Sequence, residues 1–137
     1  MSRALHTRLK LGVPATIFIA WFLAGAAIFA LPELFYKVVP GVKLFGPFNA
    51  HFIQDVGLVY LASGVIGLYG LRSGSAELCI AGALWSCLHG LFHLHLWWHR
   101  GFPVDGIFLF DLGFVILPPF LVLVPVTLGL LRRGTRS

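Results

Sequence analysis

Four apolar runs, each long enough to cross a lipid bilayer, constrain this chain more than any other feature of its sequence. A transmembrane helix needs about 20 consecutive, mostly apolar residues. Because the bilayer core offers no water to backbone N–H and C=O groups, each run is predicted to form a helix. The predicted fold is an all-α, four-transmembrane-helix bundle in one domain, residues 1–137, with helices at residues 11–31, 49–71, 76–98 and 107–131.

The composition supports a membrane protein. Hydrophobic residues make up 58% of the chain and charged residues only 11%, whereas soluble domains carry about a quarter charged residues. Such a chain cannot cover itself with a polar surface, so membrane lipid is its predicted surrounding. The net charge of +5 does not indicate nucleic acid, because the basic residues flank the apolar runs and form no patch with interleaved aromatic residues.

The same basic residues predict the orientation of the bundle. Loops on the cytoplasmic side of a membrane carry an excess of lysine and arginine. One side of the predicted bundle has Lys37, Lys43 and Arg100. The other side, with both termini, has the larger set and is predicted to be cytoplasmic: Arg3, Arg8, Lys10, Arg72, Arg132, Arg133 and Arg136.

Ionisable side chains interrupt the apolar runs about one helical turn apart. His51 precedes Asp55 by four residues in the second run, and two histidines have the same spacing in the third run. Ionisable groups inside a membrane span are costly and by default indicate a functional site. The predicted topology places six such groups in the outer half of the bundle. The predicted site is a polar cluster of Glu33, His51, Asp55, His89, His93 and Asp111.

Small residues mark the faces on which the helices are expected to pack, since they let helix backbones approach closely. In the second helix the glycines lie roughly opposite the face that carries His51 and Asp55. In the third helix, Gly82 and Ser86 share a narrow arc with the two histidines. The small residues expected at helix contacts are Ala20, Ala24 and Ala27 in the first helix and Gly57, Gly64 and Gly67 in the second.

Four chemical interpretations of the cluster remain open. It is a hydrogen-bonded network that ties helices together, with Asp55 paired to a histidine; or it is a zinc or iron site formed by His51, Asp55, His89 and His93. A third interpretation is a haem with His89 or His93 and His51 as axial ligands. The fourth is a proton relay or acid–base site that uses the same side chains.

Three segments and two histidines carry a family resemblance: FNAHFIQDVG at residues 48–57, YLASG at residues 60–64, LPELFY at residues 31–36, and His89 with His93. In these the chain resembles small bacterial four-helix membrane proteins of the DoxX-like kind. The resemblance implies a multi-pass protein of the bacterial inner membrane. Some DoxX-like members look like accessory subunits of respiratory or redox complexes, which implies other membrane chains, or further copies of this one, as partners. It implies no catalytic residue.

The predicted function is therefore an accessory subunit of a larger inner-membrane complex. The alternative is a membrane enzyme, or a metal- or haem-binding protein, that uses the polar cluster; whether the chain is an enzyme stays open. A proton-coupled carrier is disfavoured, because the sequence shows no internal repeat and four spans are few for alternating access.

Overall fold

The computed structural model describes the backbone of residues 3–134 and the side chains of residues 12–128. Residues 3–134 form helices joined by short turns, with no strand among them. Four of the helices are long and apolar enough to cross a membrane, which confirms the predicted all-α fold with four spanning helices. The basic residues of the two termini, on which the predicted orientation depends, lie outside the residues whose side chains are described.

The helices begin and end close to the predicted positions, with three differences. The first helix begins at Arg3 instead of residue 11, so that Pro14 lies inside it. The predicted loop at residues 31–49 contains two short helices, and the fourth span is interrupted by a π-helical segment. In chain order the elements are α1 (Arg3–Ala30), α2 (Pro32–Val38), a 3-10 helix (Val42–Phe45), α3 (Ala50–Ser73), α4 (Ala76–His99), α5 (Gly106–Asp111), the π segment (Leu112–Ile116) and α6 (Leu117–Gly134).

Side-chain caps fix where α3 and α4 begin. Asn49 Oδ1 accepts a hydrogen bond from the Phe52 backbone N–H at 3.1 Å, which confirms the predicted N-cap of α3. Ser75 Oγ caps α4 in the same way, through the Leu78 N–H at 3.2 Å. Gly74, with φ of 70°, ends α3 in the left-handed conformation that glycine adopts without strain. The turn between these helices is consequently tight and their axes run antiparallel.

Glycines determine which face of α3 packs inward. A Cβ at Gly57 would lie 2.8 Å from the Phe29 backbone nitrogen of α1, and one at Gly64 would lie 2.7 Å from the Phe18 carbonyl oxygen. On the α4 side, a Cβ at Gly82 would lie 2.8 Å from the backbone nitrogen of Gly67. Side chains at these positions would force the backbones apart. The predicted glycine packing face of α3 is thereby confirmed.

The opposite face of α3 points away from the bundle. Its residues share the outward orientation because α1 and α4 both approach α3 on the glycine side. The predicted polar cluster requires this face to point inward, and the structure contradicts that requirement. The exposed residues of this face are His51, Asp55, Leu58, Ala62, Val65 and Tyr69.

The fourth span changes its helical register just before two prolines. Pro118 and Pro119 have no backbone N–H to donate, and the preceding turn opens into the π segment, in which the Leu117 N–H donates to Leu112 O. The wide turn lies against Gly90 of α4, where a Cβ would approach Val115 O to 3.2 Å. Aromatic and aliphatic side chains fill the rest of the core, among them Phe18, Trp21, Ile53, Tyr60, Ala83 and Val122.

Candidate functional site

A cavity of about 650 Å³ lies between the helices at the end of the bundle that carries α2 and the α4–α5 loop. We call this end the loop end and the space the loop-end cavity. Its volume falls in the range of about 300–1,000 Å³ that is typical of small-molecule sites. Most of its lining is apolar. The polar side chains that line it deep in the bundle are Tyr60, His89, His93 and Asp111.

His93 and Asp111 form an ion pair between α4 and α5. Their Nδ1 and Oδ2 atoms lie 2.9 Å apart, and the side chains are only 17% and 14% exposed. Nδ1 is within ion-pair distance of the carboxylate but makes no hydrogen bond of acceptable geometry. The two groups are therefore close to each other but poorly aligned. The pair is thus close enough for charge attraction and leaves hydrogen-bonding capacity unused.

His89 and Tyr60 continue this polar surface into the cavity. The imidazole of His89 stacks on Trp85 with ring centroids 4.6 Å apart and meets the His93 ring edge-on at 4.6 Å. The Tyr60 ring packs edge-on against both Trp85 and His89. Within the described part of the chain, neither the Tyr60 hydroxyl nor the His89 ring makes a hydrogen bond. Tyr60 is only 9% exposed as a whole residue, so a largely buried tyrosine lines the cavity with a hydroxyl that has no hydrogen-bond partner.

The α4–α5 loop holds Asp111 in position from the loop end. Asp105 Oδ1 accepts from the Phe108 N–H at 2.9 Å and caps α5, while its other carboxylate oxygen pairs with Arg100. The Phe108 N–H and the Arg100 guanidinium hold the pKa of Asp105 below its usual value. Trp97 Nε1 donates to Pro103 O at 2.9 Å and its ring stacks on Phe108. These contacts fix the start of the helix that ends at Asp111.

The other predicted site residues do not reach the cavity. His51 Nδ1 and Asp55 Oδ2 lie 2.9 Å apart, but on the outer face of α3, where the side chains are 85% and 57% exposed. Glu33 pairs with Lys37 in α2 at 2.6 Å. The Lys37 hydrogen bond and charge lower the pKa of Glu33. Of the six predicted residues, the structure therefore brings together His89, His93 and Asp111.

The predicted metal and haem ligand sets are not assembled. Among the residues that the structure describes, no three His, Cys, Asp or Glu side chains are grouped closely enough to hold a metal ion. The zinc or iron set fails because His51 and Asp55 face outward on α3 while His89 and His93 face inward on α4. The same geometry separates His51 from the haem position that it was predicted to share with either inward histidine.

Two site residues were missed by the sequence prediction, namely Tyr60 and Trp85. The missed signal is the glycine face of α3, because Tyr60 lies three residues after Gly57 and four before Gly64 and so points where they point. Trp85 lies one turn before His89 on α4. Assigning the inward face of α3 from its glycines, and not from its ionisable residues, identifies Tyr60 as a cavity residue.

Comparisons with protein-family models, with curated proteins and with solved structures found no match to this chain. They neither support nor contradict the resemblance to DoxX-like proteins, which stays a prediction. What is established about the chain is its fold of four helices that can span a membrane and the geometry of the loop-end cavity.

Proposed function

We propose that this chain is an integral membrane protein that binds a small molecule in the loop-end cavity. The observation that carries the proposal is a pair of polar groups without a hydrogen bond in an otherwise apolar cavity: the hydroxyl of the largely buried Tyr60, and the buried Nδ1 of His93 beside Asp111. A buried polar group without a hydrogen bond costs free energy. A ligand with a complementary polar group removes that cost, and the apolar lining accommodates the rest of the molecule.

The same residues are suited to acid–base chemistry on such a ligand. Asp111 and His93 are an acid and a base in contact, and ionisable residues within membrane spans commonly serve proton transfer or binding. This supports the predicted alternative of a membrane enzyme that uses these side chains. Tyr60 and His89 contribute the groups that orient a bound molecule toward the pair.

The experiment is to purify the protein in mild detergent, extract it with organic solvent and identify retained small molecules by mass spectrometry. We expect a retained species in the wild-type protein that is depleted from His89→Leu. The matched control is His95→Leu, on the same helix, because His95 is exposed and does not line the cavity. Equal retention by all three proteins, or no retained species in any of them, contradicts the proposal.

A second candidate is the predicted accessory subunit of a larger membrane complex. Its support is the His51–Asp55 pair on the outer face of α3. Polar side chains on a face that meets lipid are stabilised when another chain covers them. We expect a co-purifying membrane chain, or a second copy of this one, to be lost from the double variant His51→Leu/Asp55→Leu. Retention of the same oligomeric state by that variant contradicts the accessory-subunit proposal.

The proposed setting is the bacterial inner membrane with both termini in the cytoplasm. Its support is the distribution of basic residues along the sequence. The orientation is tested by fusing two reporters to the C-terminus in turn. One reporter is active only in the cytoplasm and the other only outside it. A C-terminal reporter active outside the cytoplasm contradicts it.

A further inference from the structure

We infer that the ligand of the loop-end cavity is a neutral lipid with one oxygen-bearing head, an alcohol or a carbonyl, and that it enters sideways from the bilayer between α1 and the fourth span. This inference rests on the proposed ligand-binding function and adds the chemical class of the ligand and its route. Three observations support it: the open side of the cavity, its covered end, and the partners of its polar side chains.

The cavity is open on the side between α1 and the fourth span. In the described part of the chain, the backbone of α1 comes close to that of α6 but not to that of α5 or the π segment. Exposed small residues of α1 and exposed residues of the π segment both line the cavity. The residues at this opening are Ala20, Ala24 and Ala27 on one side and Gly113 and Phe114 on the other.

The opening is flanked by two helices that are long and apolar enough to span a membrane. The predicted contact of the alanine face of α1 with a neighbouring helix is not seen in the described bundle, where α1 meets α3 through Gly25 instead. A gap flanked by Ala24 and Phe114 therefore faces the acyl chains, because both belong to spans. A molecule that enters here comes from the lipid phase.

The loop end of the cavity is covered by residues 39–49. The Tyr36 hydroxyl donates to Gly46 O at 2.9 Å and ties this segment to α2. Gly41, with φ of 85°, lies so close to the start of α5 that a Cβ there would be 2.9 Å from Ile107 Cγ2. The segment thus bridges from α2 to the fourth span over the cavity. This cover favours the lateral route over entry from the aqueous side.

The polar side chains favour a neutral head. Among the cavity-lining residues that the structure describes, Asp111 is the only acidic one, and its Oδ2 already lies 2.9 Å from His93 Nδ1. A cationic head would have to compete with His93 for Asp111, and an anionic head would lie beside the Asp111 carboxyl group, which repels it when ionised. A hydroxyl or carbonyl oxygen needs only neutral partners. The Tyr60 hydroxyl can both donate and accept a hydrogen bond, and a neutral imidazole such as that of His89 carries one donor and one acceptor nitrogen.

The test uses three photoactivatable probes with the same alkyl chain and a diazirine near the head: a fatty alcohol, a fatty amine and a fatty acid. The protein is labelled in lipid nanodiscs, and the labelled residues are mapped by mass spectrometry. We expect saturable labelling by the alcohol at α3 near Tyr60 and at α4 near His89, competed by unlabelled alcohol. Loss of one hydrogen bond in Tyr60→Phe should weaken the apparent affinity about fivefold.

The route is tested with Ala24→Trp, which fills the opening. Its control is Leu23→Trp, since Leu23 is the neighbouring residue, is exposed and does not line the cavity. We expect labelling of the cavity by the alcohol to be lost in Ala24→Trp and kept in Leu23→Trp, with both variants of wild-type thermal stability. Equal labelling in the two variants overturns the lateral route.

The remaining outcomes separate the inference from the proposed function. Saturable cavity labelling by the amine or the acid in preference to the alcohol leaves a binding site and overturns the neutral head. Absence of saturable cavity labelling by all three probes, together with no retained molecule in the extraction experiment, overturns the binding function itself. The wild-type labelling pattern decides between these outcomes even where a variant fails to fold.

Discussion

The chain contains two His–Asp pairs with the same distance of 2.9 Å and opposite surroundings. His51 and Asp55 lie one turn apart on α3 and are mostly exposed on its outer face. His93 and Asp111 come from two different helices and are largely buried beside the loop-end cavity. The first pair forms whenever α3 is helical, since its spacing is that of one turn. The second forms only when the bundle is assembled.

The contrast shows which feature of this membrane sequence indicates an inward face. Ionisable residues occur on both faces of this bundle, and four-residue spacing occurs in both the exposed pair and the inward histidines. The glycines separate the two cases. They occur where backbones approach each other, and a polar residue that shares their face, Tyr60, lines the cavity.

The largest expected effect is that of Asp111→Leu. Removing the carboxyl group leaves the His93 ring largely buried without its partner, and breaking a buried pair from one side costs about 3 kcal/mol of unfolding free energy. The measurement is reversible unfolding in mild detergent. The double variant His93→Leu/Asp111→Leu is the control, because replacing both partners leaves no unpaired polar group and should recover most of the loss. A double variant no more stable than Asp111→Leu contradicts a buried pair.

Gly25→Ala comes next. A Cβ at Gly25 would overlap the backbone nitrogen of Leu61, which cannot move without separating α1 from α3. We expect a loss of about 2 kcal/mol, as for overpacking elsewhere. Gly12→Ala is the control on the same helix, because nothing lies within 4 Å of its Cβ position and alanine favours a helix. Equal stabilities of the two variants would show that the glycines do not set the inward face.

A smaller effect on thermal stability is expected when the pH is lowered and Asp105 of the α4–α5 loop is protonated. This loop positions the helix that carries Asp111. The pKa of Asp105 is lowered in the folded chain, so its stabilising contacts are fully present above its unfolded pKa and are lost as the pH falls through the lower, folded value. Thermal stability should therefore decline below about pH 4. In Asp105→Asn, which keeps the cap but does not ionise, that decline should be reduced. An unchanged pH profile contradicts the assignment.

The smallest effect is that of Asp55→Asn. The exposed pair is worth at most about 0.5 kcal/mol, as surface pairs usually are. Unfolding of the isolated chain in detergent should barely change. A loss as large as that of Asp111→Leu would mean that the two pairs do not differ in burial.

Helix type and number follow from the sequence because apolar length alone specifies a membrane span. Asn49 is predictable as a cap because its side chain acts locally. The partner of His93 is not predictable in this way, because no local rule relates the rotation of the third helix to that of the fourth span. The predicted cluster is wrong at His51 and Asp55, because the cost of ionisable groups in lipid predicts that they face inward, whereas the backbone contacts at Gly57 and Gly64 turn them outward.

The π segment determines whether Asp111 can reach His93. A wide turn accommodates one residue more than an α-helical turn, and each residue rotates a helix by about 100°. Deleting Gly113, whose Cβ position has free space around it, would return the fourth span to a continuous α-helix. Asp111 would then swing around the helix axis while Val122 kept its place in the core. We therefore expect the loss of this one residue to remove Asp111 from the cavity without changing the packing of α6.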